Sequence, residues 1–307
     1  MDQNEIAFSV VIPAYNADET LIDTLESVLA QSFPAKEIII VDDGSTKPLP
    51  AAVTSHPKVT LIRQENGGVS SARNTGILAS SAPFIAFLDS DDIWLDDKLE
   101  LVAKAIQQHP EAVGYYTYFH FWEASKESAL EATQAIEQKH TKTTIDCDDI
   151  YHKQLLTNHA LTSATVIRRE ALTLTGLYDT SMPVAEDWDL IIRLTQVGLF
   201  CRIDKPLTLY RIAHSSLTSS IKDKDYASAV VESAILKYGY TNRFGHSLDR
   251  KLLDKRAYRR HIEYGAAAFK QADYVKASHA FWRAMQKQVT AKIIAYLVLS
   301  HIKKWVS

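Results

Sequence analysis

Cysteine is almost missing from this chain of 307 residues, with only Cys147 and Cys201 present. Far apart and without the close spacing of ligand pairs, they argue against a disulfide framework or a thiolate zinc site, and a reducing cytoplasm is the simplest setting. Long apolar runs are lacking too. No uncharged stretch approaches bilayer thickness, and Met1 to Phe8 has neither the basic start nor the apolar core of a signal peptide. Secretion and membrane spanning are therefore not expected. The remaining composition, 46% hydrophobic and 23% charged, is that of a globular chain holding one large domain with an appendage, or two ordinary domains.

A net charge of -3 hides a polarity along the chain, because residues 1–219 carry -13 and residues 220–307 carry +10. A basic segment of this kind faces an anionic surface, an acidic acceptor or nucleic acid, or is simply a lysine-rich solvated helical face.

Over the first 120 residues strand and helix patterns alternate at the spacing of βαβ units. Strands are expected at Phe8–Ile12, Ile38–Val41, Val59–Arg63, Phe84–Leu88 and Val113–Phe121, with helices at Glu19–Gln31, Pro50–Ser55, Ser70–Ser81 and Asp96–His109. Right-handed crossovers make this an α/β domain with an open, mostly parallel sheet covered by helices on both faces. Glu123 to Asp149 is polar and weakly periodic, a variable connection or lid. Strand Ser163–Arg168, helices near Glu170–Leu174 and Glu186–Val197, and strands Phe200–Ile203 and Leu207–Arg211 follow. We place the domain end at 219, with a basic helical region over 220–307. There, Gly265, Tyr274, Ala277, Phe281 and Ala284 fit one tetratricopeptide-like helical hairpin. The tail, Ile293 to Leu299 bracketed by Lys287, Lys292, Lys303, Lys304 and Trp305, lies in a membrane interface or docks onto the preceding helices.

Two of the strands run into carboxylates: Asp42-Asp43-Gly44-Ser45 after the second and Asp89-Ser90-Asp91-Asp92 after the fourth. In a parallel sheet the carboxyl ends of strands open onto the ligand crevice, so both clusters converge on one site. Asp89 and Asp91, one residue apart, can be presented by a turn to one hard cation that prefers oxygen ligands, while Asp92 or Asp96 can instead cap the next helix. Such a site suits a divalent metal carrying a nucleotide diphosphate.

Val10-Val11-Ile12-Pro13-Ala14-Tyr15-Asn16, Val41 to Ser45, Asn66-Gly67-Gly68-Val69-Ser70-Ser71-Ala72-Arg73-Asn74 and Leu88 to Asp92 closely resemble the inverting, GT-A fold glycosyltransferases of family 2. The resemblance continues through Gly176-Leu177-Tyr178-Asp179, Glu186-Asp187-Trp188-Asp189-Leu190 and Tyr210-Arg211-Ile212-Ala213-His214, and covers roughly residues 6 to 220. It implies sugar transfer from a nucleotide diphosphate donor to a glycan or lipid-linked acceptor, with Mn2+ or Mg2+ as cofactor and no nucleic acid partner. It also implies a cytoplasmic setting, peripheral to the inner face of the cell membrane if the tail binds lipid.

By this resemblance Asp91 is the direct metal ligand, Asp89 reaches the ribose or the metal, and His214 adds a metal or phosphate contact. The spacing of His214 is one residue longer than the usual Tyr-Arg-x-His. Asp43 accepts a hydrogen bond from the base, which favours UDP because an acceptor-only side chain fits the imide of uracil, although thymine and guanine fit as well. Pro13, Ala14 and Tyr15 form the facing loop, where Tyr15 stacks on the base or is a plain core aromatic. Gly67-Gly68 lets backbone pass close to a ligand, and Ser90 joins Gly68 in the nucleotide pocket. Arg73 lies on the nucleotide side, or in a salt bridge with Asp43 or Asp89. Asp187 is the expected base for the acceptor hydroxyl, Glu186 orients it or contacts the acceptor, and Asp189 faces the helix exterior or caps it. Trp94 and Trp188 wall the sugar and acceptor sites or pack in the core.

Two other classes remain to be weighed. A pyrophosphate-forming nucleotidyltransferase would need a glycine-rich basic loop where Pro13 to Asn16 stand. A non-catalytic sugar-nucleotide-binding or assembly subunit fits the basic tail and the helical hairpin, and is disfavoured by the Asp89, Asp91 and Asp187 set.

Overall fold

The computed structural model describes residues 6–212 and 222–306, so His214 lies outside the described residues. In chain order the elements are β1 (Phe8–Ala14), α1 (Leu21–Leu29), β2 (Glu37–Asp42), α2 (Ala51–Thr54), β3 (Val59–Arg63), α3 (Val69–Ala79), β4 (Phe84–Phe87), β5 (Ile93–Trp94), α4 (Lys98–Gln108) and β6 (Gly114–Trp122). Next come α5 (Ala129–Lys139), β7 (Ile145–Asp148), α6 (Tyr151–Gln154), β8 (Thr165–Arg168), α7 (Arg169–Thr175), α8 (Glu186–Leu194) and β9 (Phe200–Arg211). Four helices complete the chain: α9 (Tyr226–Tyr238), α10 (Arg250–Lys270), α11 (Tyr274–Lys287) and α12 (Ala291–Val306).

One compact unit contains the described residues up to 150 together with 159–212. Its sheet has the order β3-β2-β1-β4-β8-β6-β9-β5, with β7 paired to β9. β1 to β4 are mutually parallel where they pair, as the βαβ spacing requires. β8 runs antiparallel to both β4 and β6, and β9 returns parallel to β6.

The strands are apolar because both faces are covered. Val10 and Ile12 of β1 pack with Leu21 and Leu25 of α1 and Leu99 and Val102 of α4, whereas Val11 faces the opposite layer with Ile77 of α3. α3 lies close to the sheet at Gly76, where a Cβ would stand 2.3 Å from a Val11 methyl. That approach fixes the helix that carries Arg73.

Three sequence expectations change. β9 is one strand of 12 residues where two were expected, because Pro206 sits beside register shifts around Tyr118, at which a missing N–H costs no ladder bond. The polar stretch after Glu123 contains α5, opened by a Ser128–Glu131 capping box, and the edge strand β7; α5 buries only Ala132 and Ile136, so its periodicity is faint. Cys147 and Cys201, 54 residues apart, stand opposite each other on β7 and β9 with Cα atoms 4.0 Å apart and form a disulfide. The argument from unpaired cysteines to a reducing compartment is thereby corrected, since cross-strand register and not sequence spacing brings the two together.

The second unit consists of 151–158 with the described residues from 222 onward, so it takes in the short helix α6 as well as the basic region placed at 220–307. Tyr151 ties α6 to the end of α9 by hydrogen bonds to the carbonyls of Ala234 and Gly239. α10 and α11 form the expected hairpin around Ala268, Ala277, Phe281 and Ala284, with the Phe281 ring packed against Gly265. α12 docks back through Ile293 and the stacked Phe281–Tyr296 pair, yet exposes Ile294, Val298, Ile302 and Trp305 at helical spacing. No helix among the described residues is long and apolar enough to cross a membrane.

Candidate active site

The carboxyl ends of β1 and β2 build one half of the site. Pro13 and Ala14 close β1 within the core, and Tyr15 emerges 51% exposed, which removes the core-aromatic reading. Asn16 adopts a left-handed conformation and clasps the neighbouring loop, its N–H donating to Ser45 Oγ and its Oδ1 accepting from Thr46 N. Asp43 is buried. Its Oδ1 accepts from Gly67 N (2.9 Å) and Gln64 Nε2 (2.7 Å), and its Oδ2 from Gly68 N (2.8 Å). These donors hold the Gly67–Gly68 loop beside it; Gly68, at φ 85°, has open space where a Cβ would be. Asp42 binds Arg63 and the Ser45 amide instead.

The end of β4 supplies the other half. Asp89 pairs with Arg73 at 2.7 Å, meeting the salt-bridge alternative. Ser90 is partly exposed, and its carbonyl accepts from Thr20. Burial and the neighbouring Asp89 push the Asp91 carboxyl up to about 6. Among the described residues the Asp91 side chain has no ion pair, while its carbonyl accepts from Arg211 Nε. Asp92 is buried, accepts from Arg211 N, and is raised well above the usual range by burial, Asp89 and Asp91. It is not a helix cap.

Arg73 joins the acid turn to α8. One terminal nitrogen binds Asp89, the other binds Glu186 at 2.6 Å, and Tyr178 packs against the guanidinium. Burial alone would lower its pKa, but Asp89, Tyr178 and Glu186 outweigh this and raise it. Of the readings open for Arg73, the salt bridge with Asp89 is present, together with a second one to Glu186. Asp187 follows at the first turn of α8, entered through left-handed Ala185. It accepts from Trp188 N and, at 3.4 Å, from Thr162 Oγ1. Burial foremost, then the charge of Glu186, pushes its carboxyl up to about 6. Asp189 turns outward to Arg193, as expected.

Both tryptophans are buried, and Trp94 donates its indole N–H to the Ser163 carbonyl, which favours the core reading for it. Ser163 went unnoticed in the sequence. Its carbonyl also accepts from Lys98 Nζ and Thr208 Oγ1, and its hydroxyl accepts from Asp89 N. Lys98 is fully buried, and burial lowers its pKa well below the usual range, with Asp92 opposing. A lysine at the first position of an amphipathic helix carries no sign of this in one sequence.

The sequence profile described as glycosyl transferase family 2 matches residues 9–172. The chain belongs to this family. An uncharacterized glycosyltransferase of Rickettsia conorii is 27% identical, covering 97% of this chain and 47% of that protein. The chondroitin synthase of Escherichia coli is 28% identical over 76% of this chain and 34% of its own length. An uncharacterized glycosyltransferase of Haemophilus influenzae is 30% identical over 70% of this chain and 71% of its length. The chain spans about half or less of the curated relatives first matched. In fold, this family 2 member resembles residues 1–349 of S. aureus TarS, crystallised with UDP, at a TM-score of 0.64, 18% identity and coverage of 97% and 87% of the two chains.

The acid turn fits a hard divalent cation. Asp91 offers carboxylate oxygens without an ion-pair partner among the described residues, beside a second carboxylate whose charge raises its pKa.

Proposed function

We propose that the protein transfers a sugar, with inversion, from a UDP-sugar to a hydroxyl of a glycan or lipid-linked acceptor in a metal-dependent reaction. One observation carries the reading: Asp187, a carboxylate raised to about 6, belongs through Glu186, Arg73 and Asp89 to the same network as the acid turn. S. aureus TarS, crystallised with UDP and with UDP-GlcNAc, supports the choice of donor.

In this reading Asp43 and the Gly67–Gly68 loop receive the base, Tyr15 stacks on it, and Asp89 and Asp91 hold Mn2+ or Mg2+. The cation would neutralise charge on the departing diphosphate. Asp187 takes the acceptor O–H proton as that oxygen bonds to the anomeric carbon, and the bond to the diphosphate breaks with its electron pair leaving on UDP. Glu186, held by Arg73, keeps Asp187 oriented and electrostatically raised.

The test is UDP release from UDP-GlcNAc and UDP-glucose with and without Mn2+, with the anomeric configuration of the product read by NMR. Binding of UDP without any cleavage of a donor would favour the non-catalytic sugar-nucleotide subunit. We further propose that α12 lies on an anionic membrane through Ile294, Val298, Ile302 and Trp305, flanked by Lys292, Lys303 and Lys304. Equal recovery of full-length and α12-deleted protein in the soluble fraction after flotation with phosphatidylglycerol vesicles would refute that contact.

A further inference from the structure

Three aromatic rings have no part in the core or in the roles above. Phe119 and Phe121 are two residues apart on β6, and Phe121 stands directly opposite Tyr210 of β9. Their ring centroids form a triangle of 5.2, 5.7 and 6.1 Å. None belongs to a hydrophobic core cluster formed among the described residues, and Phe121 is 62% exposed, among the most exposed aromatic residues of this unit. Folding alone gives no reason to hold three rings together at a strand end facing water.

Strand alternation and two hydrogen bonds lead from the cluster toward Asp187, the proposed base. Alternate residues of a strand share a face, so Tyr210 lies on the side of Thr208, whose hydroxyl donates to the Ser163 carbonyl. The preceding residue, Thr162, donates to Asp187. Consistently, the Tyr210 hydroxyl is pushed up to about 12 by burial first and then by the charges of Asp92, Asp89, Asp91 and Asp187.

We propose that Phe119, Phe121 and Tyr210 form a stacking platform for a pyranose ring of the acceptor, which is therefore a glycan whose ring lies flat beside Asp187. This rests on the transferase reading and specifies its acceptor. The C–H face of a pyranose, polarised by its ring and hydroxyl oxygens, complements the negative face of an aromatic ring, and its equatorial hydroxyls then project sideways toward hydrogen-bonding groups. A polyol phosphate has no such face.

The experiment is saturation-transfer difference NMR on the full chain with UDP and Mn2+. The probes are methyl β-glucopyranoside, methyl β-galactopyranoside and methyl 2-acetamido-β-glucopyranoside, against glycerol 3-phosphate. Ring C–H signals are expected for at least one pyranoside and not for glycerol 3-phosphate, falling about five-fold in Phe121→Ala and equally in Phe121→Leu, which keeps apolar volume but no π face. No pyranoside signal, an undiminished signal in Phe121→Leu, or a glycerol phosphate signal abolished by Phe121→Ala would each overturn the platform. Stabilisation of the wild type by UDP and Mn2+ alone, read by thermal unfolding, tests the nucleotide reading separately. Its failure would be visible before any sugar is added.

Discussion

Arg73 and Glu186, 113 residues apart in sequence, meet in a buried ion pair at 2.6 Å. The same guanidinium reaches Asp89, so one planar fork spans the end of β4 and the start of α8. Removing Arg73 would strip both carboxylates of their shared counter-charge, whereas removing the Glu186 charge leaves Arg73 paired with Asp89. Glu186→Gln is expected to cost about 2 kcal/mol in urea unfolding, as for the loss of one charge-assisted hydrogen bond, with transfer falling in parallel. Arg73→Lys should fare little better, because an ammonium cannot offer two carboxylates the same pair of parallel donors. Wild-type stability in Glu186→Gln would show the pair to be dispensable.

The carboxyl of Asp187, raised from 3.8 to about 6, gives a signed pH dependence. In the proposed role of base it must be ionised, so turnover should fall as pH drops through about 6, and Asp187→Asn should be inactive at every pH. Stability runs the other way. The ionised form is disfavoured by burial, so this group weakens the fold above its folded pKa, and the penalty is relieved as pH falls from about 6 toward 3.8. Asp187→Asn should therefore unfold at higher temperature near pH 7, by about 1–2 kcal/mol after discounting for its partly exposed edge. Thermal melts at pH 5 and pH 7.5 check both signs.

For Asp91→Ala the prediction concerns binding. In the wild type, Mn2+ should deepen the stabilisation given by UDP, with about 2.7 kcal/mol expected at a hundredfold excess over the dissociation constant. In Asp91→Ala the Mn2+ increment should vanish, and chelator should no longer shift the melting curve. A persisting increment would move the cation away from the acid turn.

Reduction of the Cys147–Cys201 bridge opens a loop of 54 residues. Chain entropy alone puts its contribution at about 4 kcal/mol, at the upper end of the usual range of about 2–4 kcal/mol. Dithiothreitol should lower the melting temperature of the wild type and leave that of a Cys147→Ser, Cys201→Ser double variant unchanged. Loss of β7 from the edge of β9 should appear first, as rapid amide exchange over Ile145–Asp148.

The parallel half of the sheet was legible because strands buried on both faces write themselves as runs such as Ile38-Ile39-Ile40-Val41, and strand ends write themselves as Asp-rich turns. Asp89 and Asp91 could be singled out for the same reason, Glu186 and Asp187 only through the family resemblance, and Arg73 with its Asp89 bridge was one of two readings left open. Long-range register was not legible. Nothing local in Cys147 announces Cys201, and nothing in Ser163 announces four hydrogen bonds. The reversal of β8, the unbroken course of β9 past Pro206 and the burial of Lys98 all depend on partners distant in sequence. α5 was missed for a different reason, since a helix that buries two residues leaves almost no periodic trace.

Because β8 points the opposite way from β4, it is the peptide entering it, Thr162 and Ser163, that borders the carboxyl ends of the parallel strands. Residues 159–161 therefore lead the chain to this end of the sheet on a path separate from the crossovers of β1 to β4. Insertions or replacements there can remodel what approaches Asp187 while β1 to β4 stay as they are. An enzyme built this way is free to change its customer without changing its currency.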